Sequence, residues 1–142
     1  MSTTIADGGK NNQRVGNVGL YYVCYRLSQD GWNVMPTARN ARGVDILAYD
    51  QKGERKLTVQ VKALSNHPGV PLGESLDSLI ADFVVICFEA GSANPRCSIM
   101  KPTEIRRQVI RRDKDGKLSH WLSSSVYLKV RYMEKWKRIG LG

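Results

Sequence analysis

Residues 43–63 read GVDILAYDQKGERKLTVQVKA. Two runs of alternating apolar and polar residues flank a polar, Gly-containing turn, the pattern of two strands joined as a hairpin. From Gly43 to Asp50, Val44, Ile46 and Ala48 fall on one face and Asp45, Leu47 and Tyr49 on the other. From Leu57 to Leu64, Leu57, Val59, Val61 and Ala63 share one face, and Thr58, Gln60 and Lys62 the other. A turn centred on Lys52-Gly53 pairs Asp50 with Arg55, Leu47 with Thr58 and Asp45 with Gln60. Directly opposed residues share a face with Cβ atoms about 5 Å apart, and Lys62 follows Gln60 about 6.6 Å along the strand. A carboxylate, an amide oxygen and an ammonium group thus converge. A hard cation such as Mg²⁺ (or Mn²⁺) takes one or two protein oxygens and keeps several waters. Asp45, Gln60 and the Val61 backbone carbonyl are candidate ligands, and Lys62 a candidate for orienting a water or stabilising charge on a phosphate. The same spacing also suits a structural ion pair between Asp45 and Lys62.

Upstream, apolar residues recur at helical spacing from Gln13 to Asp30. Val15, Val18, Tyr22 and Tyr25 form one stripe, and Leu20, Val23, Cys24 and Leu27 a second, which predicts a mostly buried helix. Gly16 and Gly19 fit it where backbone packs closely on a neighbour. Residues 1–12 read as a flexible tail, with the single domain spanning 13–142. A strand is expected from Trp32 to Pro36, then a basic loop. Downstream, Asn66–Glu74 reads as a loop, Ser75–Ala81 as a short helix and Asp82–Glu89, containing FVVICF, as a strand buried on both faces. Cys97–Met100 is a further strand, and a helix starting at Pro102 runs through Ile105–Arg112. Lys117–Ser123 reads as a strand and Tyr127–Ile139 as a helix. The expected fold is a single-domain α/β arrangement, a mixed central sheet flanked by helices in the order αβββαβ with C-terminal additions.

The 142 residues carry a net charge of +9, and its distribution is uneven. Residues 1–100 hold 10 basic and 9 acidic side chains; residues 101–142 hold 12 and 4. A basic lobe on a near-neutral body is the footprint of a polyanion partner, most often nucleic acid. The longest apolar runs, Leu20–Tyr25 and Phe83–Phe88, are too short to span a bilayer, so no membrane partner is expected. The first ten residues lack the basic start and apolar stretch of a signal peptide, which points to the cytoplasm. Cys24, Cys87 and Cys97 form no Cys-x-x-Cys pair, the Gly-rich phosphate-binding loops are absent, and so is Gly-x-Ser-x-Gly.

Asp45 in GVDILAY, followed by VQVKA at Val59–Ala63 and preceded by a long helix, resembles the PD-(D/E)XK nuclease superfamily over roughly residues 14–90. The stretch from Gly19 to Tyr49 is also similar to stand-alone bacterial and phage members of that type. The resemblance implies a restriction-endonuclease-like core and Mg²⁺-dependent hydrolysis of DNA. It makes Asp45 the principal metal ligand, puts Gln60 at the second acidic position and makes Lys62 the catalytic lysine. Two departures stand out. Gln60 is neutral where most members carry Glu, and Gly19 is followed by Leu20 where many carry Glu. Glu74 or Asp77 would be the source of a further carboxylate.

Arg39, Asn40 and Arg42 precede Asp45; if Asp45 holds a metal over a phosphate this loop can grip neighbouring phosphates, and otherwise it is a solvated loop. Arg106, Arg107, Arg111 and Arg112 are expected on one broad basic helix face, able to track a phosphate backbone or serving as a solvated surface. Trp121, Tyr132 and Trp136 suit either base stacking or, more commonly, core packing. A homodimer fits a duplex cutter, which needs two active sites. The rival expectations are an inactive nucleic-acid-binding module on the same fold, and a protein-interaction inhibitor working through the basic lobe.

Overall fold

A computed structural model of the chain describes residues 8–38 and 42–142. Helix α1 (Gly8–Gln29) leads into β1 (Asn33–Pro36), β2 (Ile46–Tyr49) and β3 (Lys56–Ala63). Then come β4 (Val70–Gly73), β5 (Phe83–Phe88), β6 (Arg96–Met100) and α2 (Pro102–Gln108). The chain finishes with β7 (Ile110–Lys114), β8 (Lys117–Leu122), a helical turn α3 (Ser124–Tyr127) and a 3₁₀ turn at Trp136–Arg138. The strands form a five-stranded mixed sheet, β1-β2-β3-β5-β6, and a three-stranded antiparallel one, β4-β8-β7. The α/β class with a mixed central sheet is as the sequence predicts.

The β2–β3 register follows the turn chemistry. Ile46 pairs with Val59 and Tyr49 with Lys56. At the turn, the Asp50 carboxylate accepts the Glu54 N–H at 2.8 Å and Gly53 takes a positive φ. β3 and β5 are parallel, which requires a crossover between them. The main core lies under α1, where Val23 and Leu27 meet Ile46, Val59, Val85 and Cys87. The other face of β5 packs Val84, Ile86 and Phe88 against Val70, Leu122, Ile105 and Tyr127. β5 is therefore buried on both faces, as its unbroken apolar run implies. Each fully buried aliphatic side chain contributes about 1.5–3 kcal/mol.

α1 begins at Gly8, inside the segment read as a tail. Among its described side chains Val23, Cys24 and Leu27 are buried and Val15, Leu20 and Tyr22 half-buried, whereas Val18, Tyr21 and Tyr25 are exposed. Gly19 does meet a close neighbour: a Cβ built there would lie 2.5 Å from the Ala63 Cβ, whereas one at Gly16 meets nothing. Gly19→Ala should therefore lower stability by about 1–3 kcal/mol through overpacking, despite the better helix propensity of Ala. Gly16→Ala should raise it by up to about 1 kcal/mol. Urea denaturation of both variants checks the contrast.

Several expected elements differ. The Asn66–Glu74 loop contains β4, which pairs with β8. Ser75–Ala81 is a series of turns rather than a helix. Its Ser75 hydroxyl accepts the Asp77 N–H, and Arg106 takes the Leu76 and Leu79 carbonyls at 3.3 and 2.9 Å. The helix expected through Arg112 stops at Gln108, because Val109 is extended. Asp115 and Gly116 both adopt positive φ, the two-residue turn that closes a hairpin, so the chain runs on as β7 and β8. The Tyr127–Ile139 helix is absent. Glu134 sits at φ 56° and its carboxylate accepts the Cys97 N–H at 2.6 Å, which holds this segment against β6.

Candidate active site at the end of strand β2

The β2–β3 ladder ends one residue short of Asp45. The Asp45 N–H still reaches the Val59 carbonyl at 2.9 Å. The next donor on that edge of β3, the Val61 N–H, goes to Asp45 Oδ2 at 2.7 Å instead of a backbone carbonyl. The cross-strand pairing of Asp45 with Gln60 is therefore not made: β2 peels away, and the Asp45 carboxylate caps the exposed edge of β3. Within a strand the N–H and C=O of one residue leave on the same side, so the Val61 carbonyl faces this opening too. Thr37 fixes the far side. Its N–H donates to the Asp45 carbonyl at 2.9 Å and its hydroxyl to the Val44 carbonyl at 2.6 Å. Asn17, Leu20, Thr37 and Ala38 line, with Asp45, a cleft of about 250 Å³. Asn17 and Thr37 carry no motif that would single them out in the sequence.

Gln60 is 6% exposed, and its Oε1 is a buried acceptor with no hydrogen-bond partner. Leaving such a group unmatched costs about 1–3 kcal/mol. Lys62 is half-buried. Burial pushes its ammonium below its ordinary pKa, and the nearby Asp45 carboxylate opposes that shift. The two form no direct ion pair, so the structural salt bridge is not the arrangement adopted.

The Asp45 carboxylate, with one oxygen committed to Val61, the Val61 carbonyl and the orphaned amide oxygen of the adjacent Gln60 are each oxygen donors of the kind a hard divalent cation takes, although Gln60 and Lys62 do not line the cleft at Asp45. Among the described residues no group of three or more His, Cys, Asp and Glu side chains is arranged to hold a metal. A cation here would therefore depend on one carboxylate and neutral oxygens. Glu74 and Asp77 are exposed in the turns after β4.

The expected basic surfaces divide. Arg39 and Asn40 lie outside the described residues, and Arg42 is exposed beside them. Arg106 and Arg107 are on α2, but Arg111 and Arg112 are on β7, so the four do not form one helix face. Arg106 is partly committed to the crossover carbonyls. Tyr132 and Trp136 are buried in the core, while Trp121 is half-exposed beneath Arg112, whose guanidinium lies 5.9 Å from its ring centre. His120 is buried against the Gly73 carbonyl, and His67 sits 3.3 Å from Glu89. No helix among the described residues is long and apolar enough to cross a membrane. Comparison with protein families, with curated proteins and with solved structures yields no match to this chain.

Proposed function

We propose that the chain is a divalent-metal-dependent nuclease that hydrolyses DNA phosphodiester bonds at the opening between β2 and β3. The observation that carries this reading is the buried, partnerless Gln60 Oε1 beside the Asp45–Val61 edge. Asp45, Gln60 and the Val61 carbonyl would hold Mg²⁺ or Mn²⁺. A bound ion of this kind supplies Lewis-acid stabilisation and a bound water of lowered pKa. Lys62, partly desolvated, places a cation where a phosphate gains charge in the transition state. Asp45 is held for this by Thr37 and Val61, so its carboxylate needs little reorganisation. The net +8 of residues 101–142 supports attraction of the polyanionic substrate.

Purified protein should cut plasmid or oligonucleotide DNA in Mg²⁺ or Mn²⁺, not in EDTA, and Asp45→Ala should be inactive. Absence of cutting by the wild type under every metal condition would remove the enzyme reading. The second reading, a binding module that keeps the fold without the chemistry, is favoured by the single carboxylate at the site. Gln60→Glu separates the two. It turns an orphaned acceptor into a buried charge, so its melting temperature in EDTA should fall below that of the wild type. Mn²⁺ should restore it and bind at least about tenfold tighter than to the wild type. A Gln60→Glu protein that calorimetry shows indifferent to Mn²⁺ would exclude a metal at this position.

A further inference from the structure

The three-stranded sheet presents a face that the cleft at Asp45 does not use. On β8, Leu122 and His120 turn inward and are buried, so Trp121 and Ser119 turn outward. The register pairs Trp121 with Ile110, Ser119 with Arg112 and Lys117 with Lys114. Opposed residues share a face, which places Arg112, Lys114, Lys117, Ile110 and Trp121 together. Asp113 alternates to the opposite side, so the charged residues that the run IRRDK shows on this face, Arg112 and Lys114, are both cations. All five residues of β7 are exposed. A groove of about 360 Å³ runs along this face, lined by Ile110, Arg112, Trp121 and Ser124 among others.

We infer that this face binds single-stranded nucleic acid, with one base stacked on the indole of Trp121 and successive phosphates held by Arg112, Lys114 and Lys117. The inference rests on the nucleic-acid reading above for its class of partner, and it adds a site and a strandedness. Cations two residues apart on β7 lie about 6.6 Å apart, in a line that a strand backbone can follow. An aromatic ring beside a cationic track is the combination that recognises unpaired bases, whose π-faces a duplex keeps stacked. Arg112, poised over the ring, can sandwich the base or contact its phosphate.

Tryptophan fluorescence reads the site directly. Of the three tryptophans, Trp32 and Trp136 are buried, which leaves Trp121 as the one open to contact quenching. In EDTA, an oligothymidylate of roughly 12 nucleotides should quench the emission, and Trp121→Phe should abolish the quench. By fluorescence anisotropy, Arg112→Ala and Lys114→Ala should each weaken binding by about tenfold. Each should also lower the slope of log affinity against log salt by about 0.7. Circular dichroism checks that these surface variants remain folded. The inference is overturned if the oligonucleotide binds without quenching. It is equally overturned if the substitutions leave affinity unchanged, or if duplex of the same length binds more tightly through the same residues. Cleavage assays on the wild-type protein in Mg²⁺ and Mn²⁺, read beside the binding data, distinguish the two proposals. Mapped binding in a protein that never cuts would sink the nuclease and keep this face, whereas cutting with unmapped binding would do the reverse.

Discussion

On the proposed nuclease reading, replacing Lys62 by Met should reduce DNA cleavage by about 10²–10³-fold, the loss typical of removing one group that stabilises transition-state charge. It should do so without unfolding the protein. Lys62 extends from β3 next to Ala63, which packs against Gly19 of α1, and its ammonium is partly taken out of water. In EDTA that desolvated charge is a burden on the fold, so an unbranched thioether of similar length should leave the melting temperature unchanged or raise it. Loss of activity together with retained or increased stability identifies a group kept for chemistry. Lys62→Met with cleavage within tenfold of wild type would remove Lys62 from the mechanism. A melting temperature that collapses instead would assign Lys62 to the structure. Gel-based cleavage rates and calorimetry on the same preparations decide among these results.

The hairpin that holds this lysine was legible because its information is local. The Lys52-Gly53 turn, with Asp50 capping it, sets the β2–β3 register, and strict alternation sets the faces. FVVICF likewise states its burial on both sides without reference to any other segment. Alternation puts Asp45 opposite Gln60, whereas its carboxylate accepts the Val61 N–H and the ladder ends at Ile46. The peeling of β2 depends on Thr37, eight residues upstream, and on the Val61 N–H, neither of which alternation describes. The buried, unpartnered state of Gln60 depends on packing from other strands and has no sequence signal of its own.

The errors share a cause: contacts from distant residues decided the backbone. Ser75–Ala81 has helix-compatible composition, but Arg106, far along the chain, takes two of its carbonyls. The Tyr127–Ile139 stretch has enough basic and aromatic residues to read as amphipathic. Yet the Tyr132 carbonyl accepts the Ile99 N–H at 2.9 Å, and the left-handed Glu134 directs its carboxylate to β6. One error had a readable signal. Asp115-Gly116 between alternating segments marks a two-residue hairpin, and it separates Arg111 and Arg112 from the helix that carries Arg106 and Arg107. That separation turns a supposed helix stripe into the cationic face of β7.

Breaking the Glu104–Arg138 pair should be the largest single loss of stability outside the apolar core. Arg138 reaches Glu104 with both terminal nitrogens, at 3.0 and 2.6 Å, and also donates to the Ile99 carbonyl. Glu104 accepts the Lys101 N–H at 2.8 Å as well, so one carboxylate caps α2 and ties the C-terminal segment to it. The two side chains are only 14% and 23% exposed. That places the pair between a surface ion pair, worth under about 1 kcal/mol, and a buried one, where removing a partner costs about 3–5 kcal/mol. Glu104→Gln should therefore cost about 2 kcal/mol, or a fall of roughly 4–8 °C in melting temperature for a chain of this size. Its pH dependence has a fixed sign. Burial raises the Glu104 pKa, but the hydrogen bonds from Arg138 and Lys101 and the Arg138 charge more than reverse this, leaving it below the ordinary 4.5. A carboxylate with a depressed folded-state pKa stabilises the fold fully above its unfolded value and loses that contribution as pH falls through the folded one. The gap in stability between wild type and Glu104→Gln should thus be full at neutral pH and close below about 4.5. A gap that persists unchanged at low pH would mean the substitution acts through shape rather than charge. Additive effects of Glu104→Gln and Arg138→Leu in a double-mutant cycle would show that the two residues, though in contact, do not stabilise the fold as a pair.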